Sequence, residues 1–116
     1  MADGQSQART ASAVNIVAGI WLILAPFILG YTSIVQALWN DIVVGIVVAV
    51  IAAIRIFTPV RSSWLSWVNV ILGFWLIVAP FILRYPIATP RWNDIILGII
   101  IIVLSVWSAT SAPGQT

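Results

Sequence analysis

Apolar residues run through this chain in four long stretches parted by short polar intervals. They cover about Ala13 to Tyr31, Ala37 to Phe57, Trp64 to Arg84 and Arg91 to Trp107. Helices of these lengths would measure roughly 24 to 32 Å at about 1.5 Å per residue, enough for a hydrocarbon core of about 30 Å. Thr32–Gln36 and Tyr85–Pro90 are short enough to be tight hairpin turns, and Thr58–Ser63 carries Pro59 as a helix breaker. The pattern predicts a polar, disordered tail over 1–12, a two-helix unit over 13–57 and a loop over 58–63. A second two-helix unit over 64–107 and a polar tail over 108–116 complete it.

The two units share their wording. VNIVAGIWLILAPFILGY (Val14–Tyr31) returns as VNVILGFWLIVAPFILRY (Val68–Tyr85), 54 positions on. Trp39, Asn40, Asp41 and Gly45 return as Trp92, Asn93, Asp94 and Gly98, 53 positions on. Identity this dense at a nearly fixed offset indicates internal duplication. Because each copy has two helices, the copies run in the same direction across a bilayer, related by a pseudo-twofold axis along the membrane normal. The expected fold is all-α integral membrane: four transmembrane helices as two tandem duplicated hairpins. The start of the chain has the look of a signal peptide. The run that follows it has its counterpart in mid-chain, so it reads as a retained helix.

Composition agrees and narrows the chemistry. Hydrophobic residues make up 62% of the 116 and charged residues 7%, against about 25% charged in an ordinary soluble domain. There is no His, Cys, Lys or Glu. That removes the common side-chain ligands of zinc, haem and iron–sulfur clusters, as well as a histidine base and a Schiff-base lysine. No cofactor, no metal and no enzymatic activity are expected. Five arginines against three aspartates form no basic patch, so no nucleic-acid partner is expected. Arg9, Arg55 and Arg61 fall on the side of the termini and Arg84 and Arg91 on the other, which favours cytoplasmic termini by one arginine. Arg55 is placed to snorkel toward the interface.

Within this frame the chain resembles the SPW repeat family, small bacterial membrane proteins whose two-helix repeat carries Ser-Pro-Trp in its first helix. The motif positions read Ala25-Pro26-Phe27 and Ala79-Pro80-Phe81, keeping only the proline. Trp21 and Trp75 upstream, and the Trp-Asn-Asp that opens each second helix, fit the rest of the pattern over about Val14 to Trp107. The resemblance implies a multi-pass protein of the bacterial inner membrane and no established reaction.

Several residues invite specific roles. Pro26 and Pro80 lack an N–H and free the carbonyls of Leu22 and Leu76. A kink satisfied locally is the simple reading; the specific alternative has Asn40 and Asn93 closing each hairpin by donating to that freed backbone. Asp41 and Asp94 are the only acids in the apolar runs. At a helix start they would complement the positive dipole end, the favoured reading; deeper, they would be candidate ion or proton sites. Gly45, Ala49 and Ala53 make a small-residue stripe for helix packing, against this chain or another copy. Trp39, Trp64, Trp67, Trp92 and Trp107 read as interface belts, whereas Trp21 and Trp75 lie deeper and read as core packing, with a neighbour, lipid or pigment ring as the alternative. The leading functional expectation is a structural or accessory subunit that meets the lipid bilayer and assembles as a homo-oligomer or with other membrane protein subunits. A small oligomeric transporter or channel using Asp41 and Asp94 is the alternative.

Overall fold

The computed structural model describes residues 4–58 and 63–111. Among them are α1 (Gly4–Ile28), α2 (Val35–Phe57), α3 (Ser63–Ile82) and α4 (Ala88–Ser111). Each contains a segment long and apolar enough to cross a membrane. Each helix packs on its chain neighbours, and α1 also closes on α4, giving a four-helix bundle 45 Å long and about 20 Å across. The α2–α3 seam is the loosest of the four.

Helix ends differ from the sequence expectation in ways that matter below. The polar stretch expected to be a tail is helical from Gly4, because Ala8, Ala11, Ser12 and Asn15 form a buried face at helical spacing. α4 runs on to Ser111, past the expected end at Trp107. Most of the expected 58–63 loop, including Arg61, and residues 112–116 lie outside the described residues. α2 and α4 begin at Val35 and Ala88, earlier than expected. Pro90 is the third residue of α4, where its missing N–H has no helical partner to lose.

α1 and α3 end alike. The N–H of Tyr31 bonds the carbonyl of Pro26 at 3.0 Å, and that of Tyr85 bonds the carbonyl of Pro80 at 3.1 Å. Both are the six-to-one bond of a Schellman cap, which needs a left-handed residue just before the tyrosine. Gly30 supplies it at φ 80°; at the matching position Arg84 is held at φ 56°. A side chain in that region costs roughly 1 kcal/mol. Arg84→Gly is therefore expected to stabilise the bundle by about 0.5 to 1 kcal/mol, read from thermal unfolding in detergent. No gain would mean that the arginine side chain offsets the strain elsewhere.

The small-residue stripe packs inside the chain. A Cβ built on Gly45 would lie 2.5 Å from the carbonyl oxygen of Gly19, and one on Gly19 would lie 3.0 Å from the Ala49 nitrogen. Gly98 and Gly73 meet in the same way, with a Cβ on Gly98 reaching 2.6 Å from the Gly73 oxygen. Between these contacts sits an apolar core of Ala18, Leu22, Val44, Val48, Leu76, Leu97 and Ile101.

Candidate functional site

The Schellman turns reverse the chain so that Tyr31 and Tyr85 fold back into the bundle, where both are buried beside Ala25, Ile34 and Ala37. A buried tyrosine hydroxyl needs a partner, and α2 and α4 bring one. Asp41 and Asp94 are each the seventh residue of their helix, roughly 9 Å from its start at about 1.5 Å per residue. Both are 0% exposed. The helix-start reading of these acids is thus corrected: they are interior groups, nearly two turns in, beyond the reach of the terminal N–H groups.

Tyr31 donates to Asp41 Oδ2 at 2.5 Å and Tyr85 to Asp94 Oδ2 at 2.8 Å. The asparagines then cross between the two halves. Asn40 Nδ2 donates to the Tyr85 hydroxyl at 3.0 Å and to Asp94 Oδ2 at 3.4 Å, while Asn93 Nδ2 donates to the Tyr31 hydroxyl at 3.1 Å. Their amide oxygens accept from tryptophans of the opposite half: Trp75 Nε1 to Asn40 Oδ1 at 2.7 Å, and Trp21 Nε1 to Asn93 Oδ1 at 2.8 Å. So Asn40 and Asn93 do not donate to the backbone freed by Pro26 and Pro80. Their reach is taken up by side chains of the other hairpin. Burial above all, together with Asp41 for Tyr31 and Asp94 for Tyr85, holds both phenols above their ordinary value, so each stays a donor. Asn40 and Asn93 thus draw Asp41 and Asp94 into one buried cluster, and the Oδ1 atom of each is buried with no donor.

A second polar layer lies on the side of the termini, beyond the apolar core. Arg55 does not snorkel outward. It is buried, with Nε donating to Ser108 Oγ at 3.1 Å and Nη2 to the Ser108 carbonyl at 2.5 Å. Ser12 and Ser66 also bond Ser108 Oγ, at 2.9 and 3.2 Å, and Asn15 donates to Ser105 at 2.8 Å. An apolar groove between α1 and α4, lined by Val14, Val17, Ala18, Trp21, Leu97 and Ile100, includes neither aspartate.

Of the residues singled out by sequence, Asn40, Asp41, Asn93 and Asp94 come together, and Trp21 and Trp75 join them while packing against the apolar core. Pro26 and Pro80 are buried and act through their carbonyls, as cap acceptors. Trp39 and Trp92 stand apart, both 59% exposed on the outer surface with Trp64, Trp67 and Trp107. Tyr31, Tyr85, Arg55 and Ser108 are polar partners to which the sequence pattern assigns no such role. The tyrosines recur with the repeat, and each lies nine or ten residues before its aspartate, the one available signal.

An all-helical bundle with four candidate membrane spans and a polar interior defines a multi-pass membrane protein. The SPW repeat domain family model matches residues 9–108, and the chain belongs to that family. No curated protein and no solved structure matches it.

Proposed function

We propose that the protein is a structural or accessory unit of the bacterial inner membrane that assembles with itself or with a larger membrane complex and carries out no reaction of its own. Its two hairpins would be duplicated copies about a pseudo-twofold axis along the membrane normal, with both termini cytoplasmic. One observation carries this reading: the polar interior is spent on itself. Every tyrosine, asparagine and tryptophan donor around the aspartates bonds a group of the same chain. The apolar core separates this layer from the serine–arginine layer, which argues against a continuous polar path. What is left to offer is an outer surface of large apolar side chains, among them Phe57, Ile71, Phe81 and the five outer tryptophans. Such a surface suits lipid and other transmembrane helices.

The test is native mass. The protein would be extracted gently from its own membrane, and its assembly compared with that of the purified chain in lipid. Stoichiometric co-migration with a defined complex, or a defined homo-oligomer in both settings, is expected. A monomer in both would overturn the reading.

One observation favours the transporter alternative: two buried carboxyl groups share one network between the hairpins, each with an oxygen lacking a donor. If the protein moves protons with a substrate, Asp41→Asn should abolish proton-coupled flux in liposomes. Wild-type liposomes without flux would end that alternative.

A further inference from the structure

We propose that Asp41 and Asp94 form a proton-binding site in which one proton is shared between the two carboxyl groups, so that the pair carries a single negative charge. Two carboxylates in one buried cluster repel and lose their hydration, so both staying ionised without nearby cations is strongly disfavoured. The groups facing the pair are Tyr31, which follows α1, Asn40 on α2, Tyr85, which follows α3, and Asn93 on α4, with Trp21 and Trp75 behind the asparagines. None is a cation. Arg91 donates to the Tyr85 carbonyl oxygen at 3.4 Å, and among the described residues no arginine is seen paired with either aspartate.

The neutral donors suffice for one charge and not for two. Asp94 Oδ2 accepts from both Tyr85 and Asn40, whereas Asp41 Oδ2 accepts from Tyr31 alone. That leaves one oxygen on each residue, Asp41 Oδ1 and Asp94 Oδ1, fully buried and without a donor. A proton on Asp41 turned toward Asp94 supplies the missing donor between the two groups. The better-supported Asp94 is then the carboxylate. Ionised carboxylates accept hydrogen bonds only, so without a proton nothing joins the two acids directly. The site takes a proton rather than a metal ion, because amide and phenol N–H and O–H groups are aimed at it, and these groups favour negative charge. The proposal holds whether or not the protein assembles with partners.

The experiment is infrared spectroscopy of the purified protein in lipid at neutral pH, in H2O and D2O. Wild type should show the carbonyl stretch of a buried protonated carboxylic acid. Asp41→Asn reproduces the shape and donor capacity of a protonated Asp41, and should fold while losing that band. Asp94→Asn should lose it as well, and provides a second variant if the first fails to fold. Absence of the band in wild type, meaning two carboxylates, would overturn the proposal. So would persistence of the band in both single variants, meaning that each acid holds its own proton.

An independent readout is stability against pH. The folded pair binds a proton that two ordinary aspartates, titrating near pH 3.9, release on unfolding. Stability is therefore greatest near that pH and declines as pH rises above it, until the shared proton leaves the folded protein. At lower pH the unfolded pair binds two protons against one, and the slope reverses. Over the declining part the unfolding equilibrium constant should grow about tenfold per pH unit. Above about pH 4 the dependence should vanish in Asp41→Asn, and a wild type that gains stability between about pH 4 and neutral pH would sink the shared proton.

Discussion

Asn40→Leu is expected to destabilise the bundle by about 2 to 4 kcal/mol, at least twice the effect of Asn15→Leu. Both asparagines belong to the repeated pattern and both substitutions replace an amide with an apolar side chain of similar size; Asn15 is buried and Asn40 partly so. Their surroundings differ. Asn40 gives its amide to Tyr85 and Asp94 and takes the Trp75 indole N–H. Leucine there would strand that indole and remove a donor from a carboxyl group. Side-chain hydrogen bonds between membrane helices average about 0.6 kcal/mol, and a buried group left unpaired costs about 1 to 3 kcal/mol. Asn15 makes one bond, to Ser105, and its Oδ1 is already without a donor. Replacing it deletes an unsatisfied acceptor together with the bond, and the two effects oppose each other. Unfolding in detergent measures both variants, and equal losses would remove the special standing of the crossed network. A cycle combining Asn40→Leu with Trp75→Phe should show coupling of about 0.5 to 1.5 kcal/mol, because both variants break the same bond.

The four helices were legible because apolar runs of this length leave few alternatives, and the tight turns because polar residues and proline mark them. Depth was not. Starting α2 at Ala37 instead of Val35, and α4 at Arg91 instead of Ala88, places Asp41 two and Asp94 three residues closer to their helix starts and makes buried acids look like dipole partners. Pro90 was read as ending a turn, although proline in the first turn of a helix loses no hydrogen bond. Gly4 to Ser12 looked like a tail by composition, yet Ala8, Ala11, Ser12 and Asn15 already had helical spacing. The crossed pairing was not legible for a more basic reason. In a repeated sequence, a bond from Asn40 to its own half and one to the other half use the same residue types at equivalent positions. Only the packing of α1 on α4 and of α2 on α3 distinguishes them.

Gly45→Val is expected to be the most damaging single substitution in the apolar core. The α1 and α2 backbones touch at Gly19 and Gly45, so even a single added carbon on Gly45 would lie 2.5 Å from the Gly19 oxygen and 3.0 Å from the Leu22 and Ile23 side chains. The nearest obstacle is backbone and cannot rotate away; the helices must separate. Overpacking a tight core costs about 1 to 3 kcal/mol, and a β-branched side chain, stiff at χ1, has little freedom to escape. The damage would not stay local. Asp41 is one turn before Gly45 on the same buried face of α2, so moving α2 away from α1 also pulls Asp41 away from Tyr31. Gly45→Val should therefore cost about 3 kcal/mol or more, the core clash and the loosened tyrosine–aspartate bond together. Gly30→Ala is the control. A carbon there meets nothing within 4 Å, and only the φ of 80° opposes it, for roughly 1 kcal/mol. If unfolding experiments rank the two the other way round, backbone contact between α1 and α2 is not what holds the first hairpin together.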